Sequence, residues 1–422
     1  MTGTTEEMPA PVPSLWRNRR FRALWIGETV SQFGDRVTEL AGPLIAVTML
    51  GASAVQVGVL TAAVWLPNLG ALFVGAWVDR RTHKRRLLIA ADLGRAVMLA
   101  SVPVAYLLGI LTLTQLYVVA LVTGVGQVLF GMAYQSFFVA LVPPASYVDA
   151  NSKLSLSRAA SFVAGPALGG VLVQAFTAPV ALLADALSFV GSALFIRRIR
   201  VTERAPVAAG PSMVRLAADG LRMVLRNPIL RASLFGTTTV NFFSFVANAL
   251  LILYASRELG LSAGAIGLAL GIGALGSVTG AAVAPRVARL VGAGPCSIIG
   301  CALFPAPYAL MALASGPAGL KVAVLAGAEF LSSVGVMLLD VPLNAILAQN
   351  TPDDARGRRA GAYTAVNYGV RPLGALVGGV LGTALGIRPT LVVAGVGGAL
   401  SAIWLLASPV RRLTTITDEP AR

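Results

Sequence analysis

Glu28, Ser31, Gln32, Asp35 and Glu39 recur at spacings of three and four residues inside the otherwise apolar stretch 21–50. At about 100° per residue on a helix they form a single polar stripe. An ionised aspartate held in hydrocarbon costs at least about 2.5 kcal/mol on insertion scales, so the stripe must face a water-filled cavity or a paired charge. Carboxyl groups so placed can take up and release protons. Asp35 is the one expected at cavity depth, with Glu28 near one end of the helix and Glu39 further along. Burial there favours its neutral form, whereas Arg36 and an approaching cationic substrate favour the ionised form, and proton exchange requires that opposition. The competing reading is structural: Asp35 neutralises a buried arginine.

The second half of the chain has its own polar set. Glu329 and Asp340 are eleven residues apart, which returns to one helix face within about 20°. Asn344 follows one turn beyond Asp340, and Asp185 lies alone in another apolar span. Proton coupling is therefore expected from Asp35 and Glu329, then from Glu28 and Asp340. Gln32, Asn241, Ser244, Asn248 and Phe245 are expected to line a substrate cavity, with Phe242 and Tyr254 as further aromatic surface. Ion pairs with Arg95, Arg158 or Arg371 remain the alternative for each acid.

These residues need membrane helices to hold them. Of 422 residues, 56% are hydrophobic and 12% charged, and the mean hydropathy is +0.78. Such values lie outside the range of soluble domains and indicate a polytopic membrane protein. The formal charge of +15 sits between apolar spans and not on a solvated face, so no nucleic-acid partner is expected. The lone His83 and the two cysteines, Cys296 and Cys301, supply neither a zinc cluster nor a histidine-dependent triad. No catalytic residues, no metal and no prosthetic group are expected.

After the first span, apolar segments recur at 57–77, 87–110, 116–142, 154–175 and 180–196. A second set follows at 230–254, 265–284, 297–314, 318–348, 363–385 and 391–406. Each is close to the roughly 20 residues a bilayer requires. The expected organisation is a tail at 1–20, a six-helix bundle at 21–196, a linker at 197–229, a second bundle at 230–410 and a tail at 411–422. Arg80, Arg81, Lys84 to Arg86, Lys153, Arg286, Arg289, Arg356, Arg358 and Arg359 all fall in connections on one side, against Arg257, Lys321 and Arg388 on the other. The positive-inside rule then puts both termini in the cytoplasm, with the chain in the cell membrane. In the linker, Arg215, Asp219, Arg222 and Arg226 oppose Met213, Ala217, Leu221 and Val224. That pattern fits an amphipathic helix lying on lipid, or equally a solvated linker helix.

Gly271-Ile-Gly273-Ala-Leu-Gly276 matches a dinucleotide-binding pattern, but no strand precedes it; close helix packing is the expected role. Pro143 precedes Gly165, Gly169 and Gly170 by the distances at which Pro352 precedes Gly374, Gly378 and Gly379, a constant offset of 209 residues. This indicates duplication of a six-helix unit.

Gly75-Ala-Trp-Val-Asp79-Arg80, with His83, Lys84, Arg85 and Arg86 after it, resembles the loop signature of the major facilitator superfamily. Thr82 stands where glycine is usual and His83 where arginine is usual, and the second-half copy at 280–286 lacks an acid. The run Val148-Asp-Ala-Asn151, the motif Gly165-Pro166-Ala-Leu-Gly169-Gly170 and the run Thr351-Pro-Asp-Asp-Ala-Arg356-Gly357-Arg358 resemble the exporter branch that includes the enterobactin exporter and macrolide efflux pumps. The similarity extends from about residue 24 to 410. It implies twelve transmembrane helices in two pseudo-symmetric bundles, a gating loop at Gly75, Asp79, Arg80, Lys84 and Arg85, and an antiporter-type kink at Gly165 and Pro166. Ser152 and Ser161 replace two further glycines of that antiporter pattern.

The expected protein is thus an all-α transporter and not an enzyme, a monomer in the lipid bilayer exchanging protons for a small amphipathic molecule such as a drug, antibiotic or siderophore. A nutrient importer and a lipid flippase would share the fold. A membrane sensor would need a sizeable soluble output domain, and the chain after Val410 is short.

Overall fold

The computed structural model describes residues 15–199 and 213–414; of the expected tails and linker, 1–14, 200–212 and 415–422 lie outside the described residues. The chain runs through α1 (Arg19–Leu44), α2 (Ala54–Asp79), α3 (Lys84–Leu107), α4 (Leu113–Leu141), α5 (Tyr147–Phe176), α6 (Ala178–Arg198), the linker helix α7 (Met213–Arg226), α8 (Pro228–Leu253), α9 (Ala263–Val291), α10 (Ala293–Met311), α11 (Ala318–Gln349), α12 (Arg356–Ala384) and α13 (Ile387–Leu406). Ten of these are long and apolar enough to cross a membrane. α1 and α12 complete the twelve. They are more polar than the rest, α1 through its acidic stripe and α12 through its small and polar residues, and they pack among the others, α1 against α5 and α6, α12 against α2 and α8. Leu107, Val97, Val171 and Leu187 are left exposed on the outside of the bundle. Apolar surface of that kind belongs in lipid, and the chain is an integral membrane protein.

The 209-residue offset extends far beyond the glycine motif. Asn18 caps α1 by accepting from the Arg20 and Phe21 amides at 3.0 and 3.2 Å. Asn227 caps α8 by accepting from Ile229 and Leu230 at 2.9 and 3.2 Å. Both helices end in a widened π-helical turn, Ile45–Met49 and Tyr254–Glu258. Thr177 has φ 99° where its counterpart Gly386 has φ 92°. For a threonine that backbone costs on the order of 1–3 kcal/mol, so the repeat geometry overrides local preference there. One difference stands out: Pro67 sits in a tight 3-10 turn, Leu66–Gly70, that interrupts α2, whereas its counterpart α9 is continuous.

The halves meet at one end of the bundle and part at the other. Leu40, Ala54 and Val57 share a buried cluster with Val246, Leu250, Tyr254 and Leu325. Toward the end that carries Arg80, Arg81 and Arg289, here the basic end, Phe21, Val78 and Phe137 form one cluster and Leu230, Leu343 and Leu405 a separate one. At the far end the seam is backbone against backbone. A Cβ on Gly58 would lie 2.7 Å from the Ala375 carbonyl oxygen, and one on Gly267 would lie 2.9 Å from Gly170 Cα. Small residues permit that approach, which is how helices associate in lipid. Arg257 Nη2 also donates across this end to the Val47 carbonyl at 3.1 Å. The consequence is a cleft closed at the far end and open at the basic end.

The linker helix packs on the second bundle. Val224 is fully buried, and Leu221 and Met223 pack with Leu230, Leu234 and Leu347. Gly220 brings α7 against the backbone of Arg358, with a Cβ there only 2.9 Å from its carbonyl carbon. Leu221 and Val224 of its apolar face are thus spent on the second bundle.

Candidate functional site

The stripe on α1 is divided by its neighbours. Gln32 Nε2 donates to Glu28 Oε1 at 2.9 Å. Arg36 Nη1 lies 2.6 Å from Glu39 Oε2, and its guanidinium sits 5.2 Å from the Phe162 ring centroid. Asp35, half-buried between them, makes no hydrogen bond or ion pair among the described residues. Its electrostatic neighbours are Arg95 and Arg36, and its charge in turn reaches Asp92 and Asp185.

Those two buried acids are structural. Asp92 pairs with Arg95 on its own helix, both shielded from solvent, and Arg95 lies 3.9 Å from the Phe189 centroid and 5.1 Å from that of Phe130. Asp185 takes hydroxyl donors, Thr38 of α1 and Ser188 at 3.0 Å, and no arginine. Gly34 admits it: a Cβ there would lie 3.0 Å from Asp185 Cα. Asp185 therefore ties α6 to α1 through hydrogen bonds whose loss would strand buried polar groups.

In the second half Glu329 lies midway along α11, half-buried, against Gly273 of α9. It makes no hydrogen bond or ion pair among the described residues, and Tyr308 feels its charge. Asp340 shares its helix face but is exposed, with Arg371 as its electrostatic neighbour. Gly271 and Gly276 abut Val163 and Phe330, so the glycine-rich run serves helix packing.

Asn241, expected in the cavity, anchors a cation. Arg371 Nε donates to Asn241 Oδ1 at 3.0 Å, while Asn241 Nδ2 donates to the Thr237 carbonyl at 2.9 Å. The Arg371 guanidinium lies 4.1 Å from the ring centroid of Tyr368, 4.4 Å from that of Trp65 and 5.0 Å from that of Phe245. Trp65 comes from the opposite half, so this aromatic box spans the apex of the cleft. Ser244 is buried beside it in sequence, and Asn248 is exposed.

Asp79, Arg80 and the start of α3 at Lys84 lie at the basic end. Asp79 is exposed and makes no ion pair among the described residues, and Arg85 Nη1 donates to the Ile199 carbonyl at 2.8 Å. Gly75 faces Met132 Sδ, which a Cβ would approach to 3.3 Å. In α5, a Cβ on Gly165 would lie 2.5 Å from Arg36 Cγ and one on Gly169 3.2 Å from Val37 Cα; Gly170 faces α9, and the Pro166 carbonyl faces Gly267. The motif seats α5 against both halves. Sequence reasoning missed Asp92, Tyr308, Trp65 and Tyr368. Only Asp92 carried a signal, as an acid three residues before Arg95 in an apolar span.

The transmembrane secretion effector family matches residues 11–422. The uncharacterised MFS-type transporter YfiS of Bacillus subtilis (strain 168) is 25% identical over 391 residues, covering 90% of this chain and 91% of that one. The multidrug efflux pump Tap of Mycolicibacterium fortuitum is 25% identical over 408 residues, covering 92% and 95%. Among solved structures, a bacterial homologue of the iron transporter ferroportin in its inward-facing state is similar at TM-score 0.73 and 18% identity, covering 93% of this chain and 98% of that one. An outward-facing state of such a homologue gives 0.57 at 17% identity, covering 92% and 98%. The likeness shows the fold, twelve helices in two pseudo-symmetric six-helix bundles. This chain belongs to the major facilitator superfamily of membrane transporters, in its transmembrane secretion effector family, and is not an enzyme.

Proposed function

We propose that the chain is a proton-coupled antiporter of the exporter branch, exporting a small amphipathic organic molecule such as a drug, antibiotic or siderophore by alternating access. The observation that carries this reading is the pair Asp35 and Glu329. Each is a mid-helix carboxyl group, one in each half, that neither accepts a hydrogen bond nor pairs with a cation among the described residues. Intramembrane acids without a structural partner are the groups expected to exchange protons. The similarity to the efflux pump Tap supports export. In this proposal the chain spans the cell membrane with its basic end and both termini on the cytoplasmic side, the monomer is the working unit, and Asp79 fastens the inner gate when the cleft closes.

The test is accumulation of a panel of fluorescent drugs in cells expressing the chain. Export predicts lower accumulation than in control cells, restored by a protonophore. Raised accumulation that collapses with the protonophore would make the chain an importer.

A further inference from the structure

Each half sets one guanidinium over one phenyl ring, with the partners exchanged. Arg36 of α1 lies 5.2 Å from Phe162 of α5, and Arg371 of α12 lies 5.0 Å from Phe245 of α8. The 209-residue offset carries Arg36 onto Phe245 and Phe162 onto Arg371. It also carries Gln32 onto Asn241 and Glu39 onto Asn248. In the first half Glu39, one turn beyond Arg36, closes an ion pair with it at 2.6 Å. In the second half the counterpart of Glu39 is Asn248, uncharged, exposed and on α8 rather than on the helix that carries the arginine, and Arg371 makes no ion pair among the described residues.

Arg371 is nonetheless fixed. Asn241 holds Nε at 3.0 Å, and Tyr368, Trp65 and Phe245 surround the guanidinium. Its two terminal amino groups donate to no described residue, and Asp340 acts on it only at longer range. A guanidinium so oriented, with its fork open, matches the two oxygens of a carboxylate. An organic cation fits less well, because the aromatic box already holds one positive group.

We infer that the cleft takes an amphipathic organic acid, its carboxylate seated on Arg371 as Glu39 is seated on Arg36, and its apolar body against Trp65 and Phe245. Because Trp65 belongs to the other half, a molecule seated there touches both halves at the apex of the cleft. This rests on the reading of the cleft as the substrate site.

The test uses the purified full-length chain in detergent with three matched probes: 1-pyrenebutyrate, 1-pyrenebutanol and a pyrenebutyl trimethylammonium salt. Energy transfer from tryptophan to pyrene reports binding. Pyrenebutyrate should bind saturably and about tenfold more tightly than the other two, the worth of a charge-assisted fork. Arg371→Gln removes the fork and Arg371→Lys keeps the charge without it; the first should weaken pyrenebutyrate about tenfold and the second by less, with thermal melts near that of the parent. Equal binding of the three probes, tightest binding of the ammonium, or unchanged affinity in Arg371→Gln would overturn the inference. Binding here needs no proton gradient. Intact acid binding without gradient-driven movement in vesicles would therefore reject the transport reading and leave the acid site standing. Gradient-driven movement of another cargo without pyrenebutyrate binding would do the reverse.

Discussion

Arg36 Nη1 and Glu39 Oε2 stand 2.6 Å apart on α1, so the stripe reaches the cleft with one of its acids already neutralised. Gln32 donates to Glu28. Of the three acids, Asp35 alone has no hydrogen-bond or ion-pair partner among the described residues, and in the second half Glu329 is in the same position.

The buried ion pair is the place to look for stability. Asp92 and Arg95 are almost wholly shielded, so Arg95→Met leaves an uncompensated carboxylate and should cost about 3–5 kcal/mol. Detergent-solubilised protein should melt several degrees lower, and the double variant with Asp92→Leu should recover most of the loss. A double variant no more stable than the single would show that the pair is not what holds α3 in place.

The far-end seam predicts a conformational lock. A leucine at Gly267 or Gly58 cannot fit against the backbone of the other half and should bias the protein away from the state closed at that end. Spin labels on cysteines replacing Thr112 and Ser315, which lie in far-end connections of opposite halves, should move apart in Gly267→Leu. An unchanged distance distribution would mean that the seam is not the closing surface.

At the basic end, Asp79 makes no ion pair among the described residues. If it fastens the closed state through a contact worth about 1 kcal/mol, Asp79→Asn should slow transport about fivefold without reducing the amount of protein in the membrane. Parent-like transport would leave the surrounding arginines as topological signals only.

Topology follows from the basic connections. In a background lacking Cys296 and Cys301, cysteines at Ser53, Thr112 and Thr177 should react with an impermeant thiol reagent on intact cells, and one at His83 should not. Reaction at His83 from outside would invert the proposed orientation.

Much of this architecture was legible in the sequence, because lipid imposes a coarse rule: apolar runs of bilayer length must be helices. The glycine spacing at Gly165, Gly169 and Gly170 and its echo at Gly374, Gly378 and Gly379 announced the duplication for the same reason, since close helix contacts leave small residues behind. What periodicity does not carry is the choice of partner across 100 or more residues. Asp185 takes Thr38 and Ser188 instead of an arginine, Asn241 of α8 holds Arg371 of α12, and α7 buries Val224 in the bundle. Trp65 looked like one more apolar residue until the halves were brought together.

The most direct test of proton coupling is made in inverted membrane vesicles energised to an acid interior, with a pH-sensitive acridine dye reporting the gradient as substrate is added. Parent protein should release protons on addition of a transported molecule and restore fluorescence. Asp35→Asn should reach the membrane in parent-like amounts, still exchange substrate downhill, and give no restoration; Glu329→Gln should be impaired as well. If Asp35→Asn and Glu329→Gln both release protons at the parent rate, neither carboxyl group carries the proton, and the account of this cleft as a proton-coupled site is contradicted.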